Sequence, residues 1–447
     1  YSTSQSTMFS SSLSKCAKRL SHHYASKKTP DFKFAAETCS LGLGYDSKST
    51  PHKAVKSPLY LSSTFMFESA EVGKEAFEQV YNINQKKATR QTPMIYSRVT
   101  NPNILLYEQR LAHWDDMEHC LLFASGMSAV STLAFSILKP GDHCFISRPV
   151  YGGTDALFNL ILPQFGIQAH SVQTGDYYVR NIQQTIEKEQ IPMDKIKLIY
   201  VETPANPSNI HTDIAETREW MDSQKALSSC YLAVDNTLLG PKYQTPSKYG
   251  ADVVIYSATK FLGGHSDLIA GALSCNKEEL FEQLSVYRTI CGAVSQPFVS
   301  WLLLRSLETL SVRMEKQCEN ARQCAEFLSK HRKVKRVHYS TLLDKESKQY
   351  EIYRNQCEGP GSMISFDVDG GEKEAFKVLN ELEVFGLAVS LGGTESLAEH
   401  PCAMTHADVD KEVLKKYGVT ESTIRLSVGL EHIDDLIRDL EQALDSM

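Results

Sequence analysis

The sequence lacks the excess of positive charge that nucleic-acid-binding proteins usually carry. Its 47 lysine and arginine residues are outnumbered by 54 aspartate and glutamate residues, which gives a formal net charge of -7 at pH 7. Proteins that bind a phosphate backbone usually have a basic surface. The charge therefore argues against nucleic acid as the main partner.

Long apolar runs and metal-binding spacings are also missing. A transmembrane helix needs about 20 consecutive apolar residues, and no segment of the 447 residues approaches that length. The eleven cysteines form no Cys-x-x-Cys pair and the histidines show no paired spacing, so we predict no structural metal. A composition of 42% hydrophobic and 23% charged residues is typical of a globular protein with two or three domains.

Acidic residues are absent from the N-terminal leader, which we assign to residues 1–35, until Asp31. The leader is rich in serine, and its basic residues are Lys15, Lys18, Arg19, Lys27 and Lys28. A basic, serine-rich and acid-poor leader resembles an organelle transit peptide. It predicts a location in the mitochondrial matrix, and a disordered arm on a cytoplasmic protein is the alternative.

Helices and strands alternate after an N-terminal arm, residues 36–95, which includes a predicted helix at 69–81 and a polar loop at 85–92. Apolar periodicity predicts further helices at 101–114, 126–138 and 214–221 and strands at 121–123, 144–146, 197–201, 231–234 and 253–256. Such alternation favours right-handed crossovers and a mainly parallel sheet. We therefore predict an α/β large domain over residues 96–300.

The pattern changes after about residue 300. It predicts one long helix at 299–329, then strands at 363–368, 385–390 and 424–428 and helices at 374–382 and 432–444. This mixture is typical of a smaller α+β domain, which we assign to residues 301–447.

Polar residues follow three of the predicted parallel strands. Glu202 and Asp235 each end one strand, and the segment Ser257-Ala258-Thr259-Lys260 follows the next. Ligands of open α/β sheets bind beyond the carboxyl ends of the strands. Lys260 is the leading candidate for chemistry, because a lysine with a lowered pKa can act as an amine nucleophile and two neighbouring hydroxyls can bind a phosphate.

Three other features carry weaker signals. Gly126 and Met127 lie at a strand-to-helix turn, where backbone N–H groups and the helix dipole favour an anion. Asp235 can hold a proton on a heterocyclic nitrogen, or it can be a helix N-cap. Tyr151 can stack on a flat ring, or it can be a half-buried core tyrosine. Together with Lys260 they supply an amine, an anion site, a carboxylate and an aromatic face, which pyridoxal 5'-phosphate (PLP) requires.

The segment 252–266 resembles the lysine signature of the cystathionine γ-synthase-like, or Cys/Met metabolism, PLP-dependent enzymes. Seven further motifs occur in the same order: Tyr-Ser-Arg at 96–98, Ala-Ser-Gly-Met at 124–127, Val-Tyr-Gly-Gly-Thr at 150–154, Glu-Thr-Pro-Ala-Asn-Pro at 202–207, Val-Asp-Asn-Thr at 234–237, Ser-Leu-Gly-Gly-Thr-Glu-Ser-Leu at 390–397 and Arg-Leu-Ser-Val-Gly-Leu-Glu at 425–431. The resemblance extends from about residue 36 to the end and implies a fold-type I PLP-transferase.

The resemblance also implies the roles of individual residues. Lys260 holds PLP and moves protons, Asp235 pairs with the pyridine nitrogen, and Tyr151 stacks on the ring and serves as a second acid–base group. The residues expected to bind the phosphate are Gly126, Met127, Ser257 and Thr259, and those expected to reach the phosphate of a neighbouring subunit are Tyr96 and Arg98. The residues expected to bind the substrate are Arg425 and Ser390, which grip its carboxylate, Val389, and Asn206, which also contacts the cofactor. Active sites shared in this way imply a homotetramer built as a dimer of dimers.

The residues that distinguish the reactions of this family match different members of it. Val389 replaces the glutamate that cystathionine enzymes acting at the γ carbon carry, as in methionine γ-lyases, whereas Gly153 matches the cystathionine enzymes. Arg288 and Thr289 replace the lysine–aspartate pair of methionine γ-lyases. We predict γ-elimination of a small sulfur amino acid (methionine, homocysteine or cystathionine) to 2-oxobutanoate, ammonia and a thiol. The alternatives are γ-replacement, as in cystathionine γ-synthase or an O-acylhomoserine sulfhydrylase, a cystathionine β-lyase, and a catalytically idle structural homologue.

Overall fold

The structure, a computed structural model, describes residues 34–50, 52–80, 93–407 and 411–447. All but the last two residues of the predicted leader, and the whole predicted loop at 85–92, lie outside the described residues. The chain divides into two compact units. The first unit contains the described residues up to 136 together with Ile269–Glu308, and the second contains Ile137–Leu268 and Thr309–Met447. The domain boundaries at residues 96 and 301 stay predictions.

The α-helices of the described residues are numbered in chain order. They are α1 (Ala36–Gly42), α2 (Ala70–Val80), α3 (Pro102–Trp114), α4 (Gly126–Ile137), α5 (Gly152–Ala156), α6 (Tyr178–Glu189), α7 (Ile214–Ser223), α8 (Gly240–Tyr243), α9 (Glu278–Cys291), α10 (Pro297–Leu307), α11 (Leu310–Leu328), α12 (Lys348–Gln356), α13 (Glu372–Glu381), α14 (Lys411–Lys416) and α15 (Ile433–Asp445). Among the described residues, no helix is both long enough and apolar enough to cross a membrane.

The strands are numbered in the same way. They are β1 (His119–Phe123), β2 (His143–Arg148), β3 (Gln168–Gln173), β4 (Ile196–Glu202), β5 (Tyr231–Asp235), β6 (Val253–Tyr256), β7 (Gly271–Cys275), β8 (Val334–His338), β9 (Met363–Val368), β10 (Gly386–Leu387), β11 (Leu397–Glu399) and β12 (Thr423–Ser427).

The first unit contains an antiparallel strand pair, β1 and β7, in which Phe123 lies opposite Gly271. Helix α3 begins where the Asn101 side chain accepts a hydrogen bond from the Asn103 backbone, and Pro102 occupies the first turn, where its missing N–H costs nothing. This antiparallel pair is a departure from the parallel arrangement that the alternating pattern predicts.

A buried ion pair fastens three elements of the first unit together. Arg288 of α9 lies 2.5 Å from Glu108 of α3, and the two side chains are only 2% and 3% exposed. The same Glu108 oxygen accepts a hydrogen bond from the backbone of Leu122 in β1, and Arg288 donates to the Leu122 carbonyl. Two residues far apart in sequence therefore fix α3 and α9 to the central part of β1.

The second unit contains a parallel sheet in the order β6-β5-β4-β2-β3. All four residues of β6 are buried, as expected for a strand covered on both faces. Because these strands are parallel, their carboxyl ends meet at one edge. The predicted α/β class with a mainly parallel sheet is confirmed.

A smaller sheet in the same unit has the order β10-β11-β12-β9-β8 and is mostly antiparallel. Its apolar face packs against α11, α13 and α15, and the shared core includes Phe366, Leu426, Leu436 and Leu440. This is the smaller C-terminal α+β layer that the sequence predicts.

Two predicted elements need correction. The single helix at 299–329 is wrong: α10 ends at Leu307 and α11 begins at Leu310, because Thr309 leaves the helical conformation with φ -111° and ψ 9°. The strand at 385–390 is also wrong beyond Gly386–Leu387, because the chain turns away at Ser390, where φ is +104°.

Candidate active site

The carboxyl ends of β4, β5 and β6 bring the polar residues of the second unit together. Glu202 ends β4 and pairs in register with Asp235, which ends β5 and pairs with Ile255 of β6. Lys260 follows β6 after a short turn in which its backbone N–H donates to the Ser257 carbonyl. Three strands that are remote in sequence therefore deliver two carboxylates and one amine to one edge.

Lys260 is held against a loop of the smaller sheet. Its Nζ donates a hydrogen bond to Ser390 Oγ at 2.9 Å. Burial and the nearby Arg425 guanidinium lower the pKa of Lys260 to about 8, while Glu399 opposes this shift. The lowered pKa increases the fraction of protein molecules in which Lys260 is the uncharged amine near neutral pH, and this form acts as a nucleophile or base.

The loop reaches Lys260 because Gly392 allows a close backbone approach. A Cβ at Gly392 would lie 2.7 Å from the Phe261 backbone nitrogen and 3.1 Å from the Lys260 carbonyl carbon, and the φ angle of Gly392 is +78°. Only glycine fits both the conformation and the space. This contact places Ser390 beside the amine.

Asp235 is a buried carboxylate whose partners are all neutral donors. Its Oδ2 accepts from the Tyr200 hydroxyl at 2.8 Å, and its Oδ1 accepts from the backbone and hydroxyl of Thr237 at 3.0 and 2.6 Å. No helix begins at the next residue, so the N-cap alternative for Asp235 is wrong. Burial raises the pKa of Asp235, although the hydrogen bonds from Thr237 and Tyr200 oppose this.

The Glu202 carboxylate fixes the two neighbouring loops. One oxygen accepts from the Tyr151 backbone N–H and the other from the Asn206 backbone N–H, both at 2.9 Å. Burial and the neighbouring Asp235 carboxylate raise the pKa of Glu202. Glu202 thus holds in place both the predicted ring-stacking tyrosine and the predicted substrate-contacting asparagine.

Arg425 lies on β12 and is almost fully buried. Its guanidinium donates to Asn206 Oδ1 at 3.1 Å and to the Ser390 carbonyl at 2.8 Å. It also forms an ion pair of 2.6 Å with Glu399. The structure therefore joins four of the predicted site residues, Lys260, Ser390, Arg425 and Asn206, through direct hydrogen bonds.

The remaining predicted residues of the second unit border this group. The Ser257 backbone donates to the Thr237 hydroxyl, which in turn binds Asp235, and Thr259 immediately precedes Lys260 in the same turn. The side chains of Tyr151 and Val389 are 48% and 54% exposed. Both are therefore available for contact with a ligand.

The other predicted residues belong to the first unit. Gly126 and Met127 form the start of α4, a twelve-residue helix without an acidic residue in its first turn, which suits an anion. Arg98 donates to the Thr289 carbonyl at 2.8 Å, and its guanidinium lies 5.9 Å from the centre of the Tyr96 ring. Their phosphate-binding roles stay predictions.

Ser390 offers a direct test of backbone strain at the site. Both Ser390→Gly and Ser390→Ala remove the hydroxyl that accepts the hydrogen bond from Lys260, so they differ mainly in backbone freedom. We expect the glycine variant to be more stable than the alanine variant by about 1 kcal/mol, because alanine is strained at positive φ and glycine is not. Urea unfolding of the two proteins checks this. Equal stabilities would contradict strain at residue 390.

Comparison with known proteins identifies the family. Residues 37–445 match the family described as "Cys/Met metabolism PLP-dependent enzyme". The chain belongs to this family. The match covers nearly the same range as the motifs of the sequence, so the predicted family, enzyme class and PLP cofactor are confirmed.

Relatives within the family bear the names of three different reactions. The chain is 37% identical over 392 residues to an L-methionine γ-lyase of Fusobacterium nucleatum subsp. nucleatum, covering 87% of this chain and 93% of that protein. It is 38% identical over 392 residues to a cystathionine β-lyase of Coxiella burnetii, covering 88% and 93%. A crystal structure of cystathionine γ-synthase from Xanthomonas oryzae pv. oryzae, in complex with aminoacrylate and cysteine, has a TM-score of 0.81 and 32% identity, covering 94% and 99%.

The donor set of the second unit fits PLP. Asp235 is a buried carboxylate without a cationic partner among the described residues, and a protonated pyridine nitrogen would supply the missing positive charge. Lys260 is a partly desolvated amine at the same sheet edge. Among the described residues, in contrast, no group of three or more His, Cys, Asp or Glu side chains is arranged so that it could hold a metal ion.

Sequence reasoning missed the supporting residues of the site. Glu399 is unmarked in sequence because it lies in the three-residue strand β11, and its relation to Arg425 depends on the pairing of β11 with β12. Tyr200 lies within an apolar strand, and nothing local indicates that its hydroxyl reaches Asp235. Only the position of Glu202 at a strand end offered a sequence signal.

Proposed function

We propose that this enzyme catalyses γ-elimination on a sulfur amino acid, giving 2-oxobutanoate, ammonia and a thiol. The observation that carries the proposal is the double role of Ser390. Its hydroxyl binds the Lys260 amine and its carbonyl binds the Arg425 guanidinium. This connection supports the assignment of the amine as the base and of the guanidinium as the group that binds the carboxylate of one α-amino acid.

The proposed roles follow from the chemistry of these side chains. Bound PLP supplies an electron sink for the carbanion formed at the substrate's α carbon. Lys260 takes and returns protons along the substrate, because an amine with a pKa near 8 can do both close to neutral pH. Arg425 orients the substrate through its carboxylate. Asp235 keeps a positive charge on the ring nitrogen, and Tyr151 stacks on the ring and donates a proton to the leaving sulfur.

Val389 favours a substrate whose side chain is an apolar thioether. Its apolar side chain is half exposed beside Ser390, and it suits the methyl group of methionine better than the second ammonium of cystathionine. Methionine, homocysteine and cystathionine should each be assayed for release of 2-oxobutanoate by the holoenzyme. If none of them gives product while PLP is bound, γ-elimination is the wrong reaction.

Val389→Glu is expected to shift the preference towards cystathionine. A carboxylate at residue 389 would attract the distal ammonium of cystathionine, which we expect to raise the ratio of kcat/KM for cystathionine over methionine about fivefold, equivalent to about 1 kcal/mol at an exposed site. Val389→Ala serves as the control, because it removes apolar contact without adding charge. An unchanged ratio in the glutamate variant would mean that residue 389 does not face the leaving group.

γ-Replacement is the second candidate, and Gly153 together with the structural likeness to a cystathionine γ-synthase favours it. Faster turnover of an O-acylhomoserine with a thiol than of methionine would select this reaction. Pyruvate as the product of cystathionine would instead indicate β-elimination.

We also propose a homotetramer, a dimer of dimers in which Tyr96 and Arg98 approach the phosphate of the neighbouring subunit. Tyr96 is 41% exposed, which leaves its ring available for such a contact. Sedimentation of the holoenzyme measures the assembly.

We also propose a location in the mitochondrial matrix, and only the basic, serine-rich leader supports this location. Import of the full chain into isolated mitochondria tests it.

A further inference from the structure

Arg425, the proposed binder of the substrate carboxylate, already has a carboxylate partner. Glu399 on β11 lies directly opposite Arg425 on β12, and the distance from Oε1 to Nη1 is 2.6 Å. The two residues are 0% and 3% exposed. The arginine is therefore electrically compensated before any substrate arrives.

Each partner of this pair has one unused atom. Arg425 Nε and Glu399 Oε2 are buried and have no hydrogen-bond partner among the described residues. A guanidinium has five N–H donors, and only Nη1 and Nη2 of Arg425 are engaged, by Glu399, Asn206 and the Ser390 carbonyl. The guanidinium therefore keeps an unused N–H donor, so a second carboxylate bound at Arg425 need not take over the hydrogen bonds that hold Glu399.

A second carboxylate changes the charge balance of the pocket. Glu399 interacts electrostatically with Arg425, Lys260 and His400. The Thr405 hydroxyl donates a hydrogen bond to Glu399 Oε1 at 2.8 Å and also contacts His406. Burial raises the pKa of Glu399, although Arg425 opposes this. Two carboxylates on one buried guanidinium repel each other, and one of them then favours its protonated form.

We propose that Glu399 binds a proton from solvent when the substrate carboxylate binds Arg425, so that the two carboxyl groups share one guanidinium and one proton. The proton is bound at Oε2, the oxygen without a partner, and the resulting O–H becomes a hydrogen-bond donor. Glu399 is thus a positioning residue that makes substrate binding weaken as the pH rises. The inference rests on the proposed function only for the assignment of Arg425 to the substrate carboxylate.

The test uses 4-(methylthio)butanoate, which is methionine without its amino group and therefore binds without reacting. Calorimetry of the holoenzyme in two buffers of different ionisation enthalpy, from pH 6 to 9, measures the protons taken up. We expect uptake to approach one proton per probe at its maximum, and affinity to fall by up to about tenfold per pH unit in that range. Absence of proton uptake throughout would overturn the proposal.

Glu399→Gln removes the titration and keeps an acceptor for Arg425. We expect proton uptake to disappear and the affinity at pH 9 to exceed that of the wild type by about tenfold. Glu383→Gln is the matched control, since Glu383 is an exposed residue of the same unit, and it should behave like the wild type. If Glu399→Gln weakens binding equally at every pH, Glu399 only orients Arg425 and the proposal is wrong.

Other titrating groups such as Lys260 are common to both proteins, so the difference between wild type and Glu399→Gln isolates Glu399. Should that variant fail to fold, Thr405→Val is the second variant: it removes the hydroxyl that donates to Glu399 Oε1 and lowers the pKa of Glu399, so the maximum of proton uptake should move to higher pH, and an unmoved maximum would overturn the proposal. Probe binding needs no turnover. Proton-linked binding without 2-oxobutanoate formation would therefore refute only the proposed function, and turnover without proton uptake would refute only this inference.

Discussion

Lys260→Ala is expected to lower turnover of the preferred sulfur amino acid by about 10³-fold or more. The side chain is proposed both to hold PLP and to move protons, and loss of a positioned acid–base group alone costs about 10²–10⁴-fold. Lys260→Arg should be equally inactive, because a guanidinium keeps the charge but does not release its proton near neutral pH. The measurement is 2-oxobutanoate release at saturating substrate.

Two comparisons make this result specific to the amine. Lys188→Ala removes an exposed lysine of α6 in the same unit and should leave turnover unchanged. The thermal midpoint of Lys260→Ala should stay close to that of the wild type, which separates lost chemistry from lost folding. A Lys260→Ala protein that retained a tenth of the wild-type rate would rule out Lys260 as the central catalytic group.

Arg288→Ala is expected to destabilise the protein by about 3–5 kcal/mol, because it leaves the Glu108 carboxylate buried without a counter-charge. Glu108 is 3% exposed, and the same oxygen that binds Arg288 accepts from the Leu122 backbone. Denaturant unfolding measures the loss. Arg322→Ala is the control, because its ion pairs with Glu319 and Glu326 are about half exposed and should contribute less than about 1 kcal/mol.

The paired substitution separates charge from packing. Replacing Arg288 with methionine and Glu108 with leucine removes both charges together, and such replacements of buried ion pairs are often neutral or stabilising. We therefore expect the double variant to be more stable than Arg288→Ala. A cost below about 1 kcal/mol for Arg288→Ala would show that the ion pair contributes no more than an exposed one.

Strong apolar patterns were predicted well. The predicted strands at 253–256 and 363–368 coincide with β6 and β9. Strand β6 is an unbroken apolar run, as expected for a strand buried on both faces, whereas in β9 the apolar residues Ile364, Phe366 and Val368 alternate with Ser365 and Asp367. Strand β3 was missed, since Gln168–Gln173 is polar and mostly half exposed. Its strand conformation depends on pairing with β2, which no local pattern reveals.

The long helix predicted at 299–329 failed for a related reason. The periodicity continues across residues 308 and 309, yet the chain passes there from one compact unit to the other. Tertiary packing overrides helical periodicity at such a position.

Within the site, Lys260 and Asp235 were predictable because both follow apolar strands whose parallel order brings their ends together. Glu399 was not predictable, because its importance depends on which residue lies opposite it across two short strands. For Ser390, one property was predictable from the sequence and two were not. Its motif indicated substrate binding, whereas its positive φ angle and its hydrogen bond from Lys260 emerge only in three dimensions.

The half-exposed position of Val389 has a consequence for protein engineering. The groups proposed to perform the chemistry, Asp235, Asn206 and Arg425, are buried and held by strand ends or strands, whereas Val389 projects from a loop. Substitutions there alter little of the buried network. If Val389 contacts the leaving group as proposed, libraries at residue 389 should change the preferred leaving group without loss of the fold.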